Sequence, residues 1–353
     1  MTNSKNTIGR LITLALVLVL TLSGFAQEKR DFKVVCVAFY NLENLFDTLN
    51  TPDVNDIEFT PDGPNKWNSP KYFEKLDNLA RVIAEIGTDF TPHGPAILGV
   101  SEIENRDVLE DLAKREAIAS RNYQVVHYDG PDRRGVDVAL LYQPEYFKVT
   151  NTKSYRLTIP GRDNFFTRDQ LLVSGELHGE LMHFIVAHWP SRSGGESRSR
   201  PLRVAAADLG RHIVDSLLKA DPNAKVILMG DLNDNPDNLS ITKHLRAVAE
   251  VKDMKDDNLY NPFFNLYKKG IGSLAWRDTW SLFDMHLVSK SLTDTDYSSY
   301  RFYRAGVFNK KFLQQSSGRF KGYPFRTYVG GQYRGGFSDH FPTYVLLVKE
   351  IGK

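Results

Sequence analysis

Lys225-Val226-Ile227-Leu228-Met229, followed directly by Gly230-Asp231-Leu232-Asn233-Asp234-Asn235-Pro236, is the stretch on which the fold turns. A short, largely apolar run reads as a strand, and the Gly/Asp/Asn/Pro cluster behind it reads as a turn. Alone, Asp231 and Asn233 are explained by that turn or by capping a helix. The same punctuation recurs four times. An opening strand, Lys33–Tyr40, ends in Tyr40-Asn41-Leu42-Glu43-Asn44, and Ala96–Val100 runs into Ser101-Glu102-Ile103-Glu104-Asn105. Leu181–His188 leads into Trp189-Pro190-Ser191, and Ser338-Asp339-His340-Phe341-Pro342 precedes a last strand, Thr343–Lys349. Five strand boundaries carrying carboxylate, carboxamide or imidazole point to one site at the edge of a layered α/β fold.

Further strands are expected at Tyr123–His127, Val136–Tyr142, Leu171–Glu176 and Phe283–Val288. Helical periodicity is clearest after Ser69-Pro70, read as a cap and a first-turn proline, with Phe73, Leu76, Leu79, Ala80, Ile83 and Ile86 on one face and a stop at Gly87. Other helices are expected at Val108–Ala119, Arg203–Leu218 and Ser240–Val248. Strands alternating with helices predict sheets covered by helices.

Of 353 residues, 41% are hydrophobic and 25% charged, a globular composition. Residues 1–26 carry Lys5 and Arg10, then the apolar run Leu11–Leu22, then Gly24-Phe25-Ala26. A basic head, an apolar core too short to span a bilayer and small residues before Gln27 describe a secretory signal peptide. The expected product is one exported domain, residues 27–353, periplasmic or extracellular and without stable membrane insertion. Removing 1–26 leaves 43 basic against 43 acidic residues, which excludes an indiscriminate polyanion binder. The lone cysteine, Cys36, excludes an intramolecular disulfide and reads as a buried small hydrophobe.

The charges are segregated. Val34–Asn65 holds six acids and no Lys or Arg; Arg301–Gly336 holds eight basic residues, no acid and nine Phe or Tyr. The second stretch suits a phosphate-bearing ligand with bases to stack, or is a solvated loop with its rings turned inward. Carboxylates and carboxamides without thiolates favour a hard cation, Mg²⁺ or Mn²⁺. With His188 and His340 as donors to phosphoryl oxygens and an Asp to orient water, the chemistry implied is phosphate ester hydrolysis.

At these residues the sequence resembles the endonuclease/exonuclease/phosphatase superfamily, its motifs in family order from Asn41 to Pro342. The resemblance implies a four-layer αββα sandwich of two mixed sheets flanked by helices. It implies that Glu102 is the principal metal ligand, preceded here by Ser101 where Gln is usual, with Asn41, Glu43 and Asp339 as further ligands. Asp231 would orient or deprotonate water, Asn233 would hold it, and His340 would stabilise the transition state or assist the leaving group. Asp284 would fix the His340 tautomer. His188 matches a histidine of the deoxyribonuclease-like and sphingomyelinase-like branches. Arg134 and Arg192 are candidates for meeting substrate phosphate, Arg192 on a basic loop around Ser193-Gly194-Gly195; both also read as plain surface arginines.

The leading expectation is an exported, divalent-metal-dependent phosphodiesterase acting on DNA or RNA, using Mg²⁺ or Mn²⁺, with Ca²⁺ as an alternative. A phosphomonoesterase or a sphingomyelinase-like lipid phosphodiesterase is the second reading, for which exposed tips at Trp189, Trp276 or Trp280 would speak. A non-catalytic phosphate-ligand binding protein on the same fold is the third. No protein partner is inferred.

Overall fold

The computed structural model describes residues 31–159 and 161–352; the segment read as a signal peptide lies outside them. Two large mixed sheets face each other. The first contains β1 (Phe32–Leu45), β2 (Pro95–Ile103), β3 (Gln124–His127), β4 (Asp137–Tyr142), β14 (Arg301–Val307) and β17 (Thr343–Glu350), ordered β14-β17-β1-β2-β4-β3. The second contains β5 (Phe147–Tyr155), β6 (Gln170–Leu177), β7 (Glu180–His188), β8 (Val226–Asp231), β9 (Ala247–Val248), β10 (Leu259–Tyr260) and β13 (Asp284–Ser289), ordered β5-β6-β7-β8-β13-β10-β9. Two hairpins stand apart: β11–β12 (Leu274–Trp276 and Thr279–Ser281) and β15–β16 (Tyr328–Val329 and Gln332–Tyr333). Each large sheet has a parallel pair within it, β1 with β2 and β7 with β8.

Period-two alternation in β1 explains the layering. Val35, Val37 and Phe39 join the core between the sheets, while Cys36, Ala38 and Tyr40 face α1 (Ser69–Glu85) and α2 (Arg106–Ala113). After the short α3 (Glu116–Ala119), the long α4 (Glu196–Ala220) covers the second sheet with Ala206, Ala207, Ile213 and Val214. The result is the expected αββα sandwich. Cys36 is fully buried, burial pushes its thiol well up, and Gly87 closes over it: at φ +75, a Cβ there would lie 2.6 Å from Sγ.

All nine expected strands form; β5, β14 and the short β9, β10, β11, β12, β15 and β16 are additional. The helices differ more. Asn68, not Ser69, caps α1, accepting from Lys71 N at 3.3 Å. Its buried face holds Tyr72 and Lys75, while Phe73 is exposed beneath the Arg115 guanidinium. The expected helix 108–119 breaks into α2 and α3, and 240–248 yields one helical turn, Ser240–His244, before β9. α4 begins at Glu196 rather than at the expected Arg203, so Arg198 and Arg200 are helical too.

His286 on β13 is stacked on Phe263, a residue of α5 (Phe263–Lys268), with Nδ1 lacking any partner. Burial lowers its pKa from 6.5 to about 3, against a small opposing effect of Thr343. The unfolded chain then binds a proton that the native imidazole refuses, so stability falls as pH drops below the unfolded value. The expected loss between about pH 8 and about pH 5 is ~2 kcal/mol. Urea denaturation at both pH values should show a loss larger by about that amount in the wild type than in His286→Leu; equal pH dependence in the two would assign the loss elsewhere.

Candidate active site

The carboxyl ends of β1, β2, β7 and β8 and the amino ends of β13 and β17 open on one edge. His188, Asp231 and Asp284 are register partners in a row across β7, β8 and β13. Gly230 permits the close approach of β7 and β8, since a Cβ there would lie 2.0 Å from the Ala187 carbonyl oxygen. Asn41, where the regular β1–β2 register breaks, bridges the two sheets by donating its Nδ2–H to Asp231 Oδ2 at 3.2 Å.

Glu43, Glu102 and Asn233 all adopt left-handed backbone, with φ of 47, 58 and 50. For a residue with a Cβ this conformation costs on the order of 1 kcal/mol. Local bonds hold each position. Glu43 N donates to Asn41 Oδ1 (2.9 Å), Asn44 N to Glu102 Oε2 (3.1 Å), Asn233 N to Asp231 Oδ1 (3.0 Å) and Asn233 Nδ2 to the Trp189 carbonyl (2.9 Å).

Burial raises the Asp231 pKa to about 7, with Asp284 and Glu102 adding to the rise and His340 and the Asn233 N–H opposing it. For His340, burial opposes charge, but Asp284 and Asp231 outweigh it and the imidazole is held well above its usual range. Its Nδ1 pairs with Asp284 Oδ2 at 2.7 Å, leaving Nε2 3.9 Å from Asp231 Oδ2. The Ser273 hydroxyl donates to the same Asp284 oxygen. His188 is the opposite case: burial, then the positive charges of Arg168, Arg134 and His340, hold it neutral. Its Nε2 lies 3.6 Å from Asp231 and 3.9 Å from Glu102, while Nδ1 is buried without a partner, so the Nε2–H tautomer leaves no N–H orphaned. One edge thus holds a carboxylate able to take a proton from water near neutrality, an imidazolium able to give one to a leaving oxygen, and a neutral donor for a phosphoryl oxygen.

Glu43 and Asp339 face each other across Arg326, whose Nε lies 3.3 Å from Glu43 Oε1 and whose Nη2 donates to Asp339. Thr327 N also donates to Glu43 Oε2 at 2.7 Å. Behind them Lys75, buried, donates to Thr327 Oγ1 at 2.7 Å and acts electrostatically on Glu43, Asp339 and Glu102. Glu102 has no Lys or Arg within ion-pair distance among the described residues, and its contacts are Asn44 N and His188. An incompletely neutralised carboxylate beside a carboxamide and further carboxylates, without thiolate, fits a hard divalent cation. Glu102 would hold it with Asn41, Asp339 and Glu43 around it. Such an ion neutralises phosphoryl charge when bound.

Arg134 is half exposed beside the site, its Nε 3.6 Å from Asp132. Arg192 lies over the Phe283 ring and donates to the Asn233 carbonyl, Asp234 and Asn238. It braces the Gly230–Asn235 turn from behind. Three residues not singled out in the sequence matter here: Arg326, Lys75 and Arg168, which is buried and ties the His188 carbonyl to Asp132. Lys75 was legible, three residues after Tyr72 and four before Leu79 on the buried face of α1. Arg326 was hidden inside the basic run. That run divides: Phe308, Phe312, Phe325, Tyr328 and Tyr333 pack on the core, Lys310 pairs with Glu85 and Asp89, and Phe320 and Tyr303 remain exposed.

A two-sheet sandwich with a base, an acid and a hard-donor pocket at one edge is built for hydrolysing phosphoric esters. The family described as the Endonuclease/Exonuclease/phosphatase family matches residues 36–349, and the chain belongs to it; its enzymes are metal-dependent phosphoric ester hydrolases. Similar solved structures share the fold. A family protein from Bacteroides thetaiotaomicron is 20% identical at a TM-score of 0.56, covering 91% of this chain and 100% of that one. A B. thetaiotaomicron mannosyl-6-phosphatase is 19% identical at 0.53, covering 89% and 99%. D. rerio TDP2 complexed with single strand DNA product is 13% identical at 0.53, also covering 89% and 99%. Among curated proteins none matches the chain.

Proposed function

We propose that the protein is an exported phosphodiesterase that hydrolyses nucleic acid, using Mg²⁺ or Mn²⁺, with Ca²⁺ as the alternative ion. The observation that carries this reading is that cationic and aromatic side chains stand on both flanks of the catalytic edge. On the β4–β6 flank, Arg133 lies over the exposed Phe166 ring, and Arg162 and Arg198 line a cavity of about 270 Å³ with Phe166 and Arg168. On the β13–β17 flank stand Trp276, Arg277, Arg319 and Phe320. A ligand that touches both is a chain with several phosphates. TDP2, with its single-strand DNA product, supports the class; the mannosyl-6-phosphatase makes a phosphomonoester the alternative.

A panel of plasmid DNA, RNA, sphingomyelin, sugar phosphates and bis-p-nitrophenyl phosphate, with and without EDTA, tests the proposal. The expected result is EDTA-sensitive cleavage of nucleic acid, restored by Mg²⁺ or Mn²⁺. Turnover confined to phosphomonoesters or to sphingomyelin would replace it, and no EDTA-sensitive turnover of any ester would favour a binding protein. Export is tested separately, by finding a mature chain beginning at Gln27 outside the cytoplasm.

A further inference from the structure

We propose that the β11–β12 turn and the Arg319–Tyr323 turn form one base-stacking platform beside the active site, so that the enzyme takes single-stranded nucleic acid with an unpaired base near the cleaved phosphate. This rests on the nucleic-acid reading above. Four rings lead outward from the residue after His340. Phe341 stacks on Trp280 (6.1 Å, 15°), Trp280 meets Tyr323 at 5.7 Å, and Tyr323 meets Phe320 at 5.5 Å. The last ring is exposed. So is Trp276, at 67%, whose strand pairs with that of Trp280. Of the three tryptophans expected as tips, Trp189 is buried and Trp280 half-buried, so Trp276 alone stands out.

The tip is held rather than loose. Arg277 and Asp278 take φ of 48 and 63, both left-handed, in a two-residue turn where Asn-Gly is the usual choice. Tyr323 Oη pins it, accepting from Asp278 N (2.8 Å) and donating to Asp278 Oδ1 (2.6 Å). At the base of the hairpin the Ser273 carbonyl accepts from Phe341 N at 2.7 Å, and the Ser273 hydroxyl reaches Asp284. The platform is therefore rigidly tied to the Asp284–His340 pair.

Its charge selects the ligand. Arg277 lies over Trp276 at 5.6 Å and Arg319 over Phe320 at 5.7 Å, with Lys321 exposed beside them; Asp278, engaged by Tyr323, is the one acid on the two turns. A lipid-inserting tip calls for bare apolar side chains, whereas rings with guanidinium groups over them suit bases and phosphates together. Bases reach such rings only when unpaired.

Trp276→Ala, Phe320→Ala and the double variant of the full chain should be compared on a single-stranded oligonucleotide, its duplex and bis-p-nitrophenyl phosphate. Each ring removed is expected to raise the KM for the single strand at least about 5-fold, with kcat and the bis-p-nitrophenyl phosphate rate unchanged and Trp276→Phe restoring most of the loss. An unchanged KM in the double variant, or a wild-type preference for the duplex, overturns the platform alone. Loss of phosphatidylcholine vesicle binding with unchanged oligonucleotide KM overturns it in favour of a lipid surface. A wild type that cleaves bis-p-nitrophenyl phosphate but no oligonucleotide removes the nucleic-acid reading and the platform with it.

Discussion

Replacing Asp231 by Asn, or His340 by Ala, lowers kcat on a phosphodiester by at least about 10²-fold. Asp231→Asn keeps the size of the side chain and the acceptor for Asn233 N, but removes the buried carboxylate that can accept a proton near neutrality. His340→Ala removes the charged donor that Asp284 sets in place, while Ser273 still donates to Asp284 Oδ2. Circular dichroism melts beside the rate measurements separate lost chemistry from lost fold. Wild-type rates in either folded variant would remove that residue from the reaction.

Asp234→Ala is expected to destabilise the chain by about 3–5 kcal/mol, because it strands a buried charge. Arg203 is fully buried, with Nε 2.7 Å from Asp234 Oδ1, close enough for an ion pair although off the N–H direction. The same carboxylate pairs with Arg192 at 3.0 Å and accepts from Ser240 Oγ at 2.7 Å. Removing it leaves Arg203 in the core with only the more distant, part-exposed Glu196 (3.9 Å) as counter-charge and frees the brace behind Asn233. The double variant Arg203→Met/Asp234→Leu should lose markedly less, since an apolar pair leaves no charge to desolvate. Urea denaturation of the two variants decides this; equal losses would show that the cost lies in Ser240 and Arg192 rather than in Arg203.

Strand ends were legible because they are local events. The Gly230–Pro236 run stops β8 wherever that strand lies, and Glu102, His188 and His340 could be read as strand-boundary residues for the same reason, whereas β1 runs on past Asn41 to Leu45. Helix ends were less legible, since a cap competes among neighbours. Asn68 took the place of Ser69, and the Gly195 turn released the chain into α4 earlier than hydrophobic spacing alone suggests.

Sequence alone therefore determined which residues stand at the strand ends, and with them the layered architecture and the class of chemistry, because turn residues and period-two burial act over a few positions. Tertiary structure alone decided what each charge does. Arg192 and Arg203 converge on Asp234, and Arg326 bridges Glu43 and Asp339 across 283 residues of chain. The same fold that raises Asp231 lowers His188 at the next strand end. A side chain's ionisation follows from its burial and from the charges facing it, and neither is set by the residues beside it in the chain.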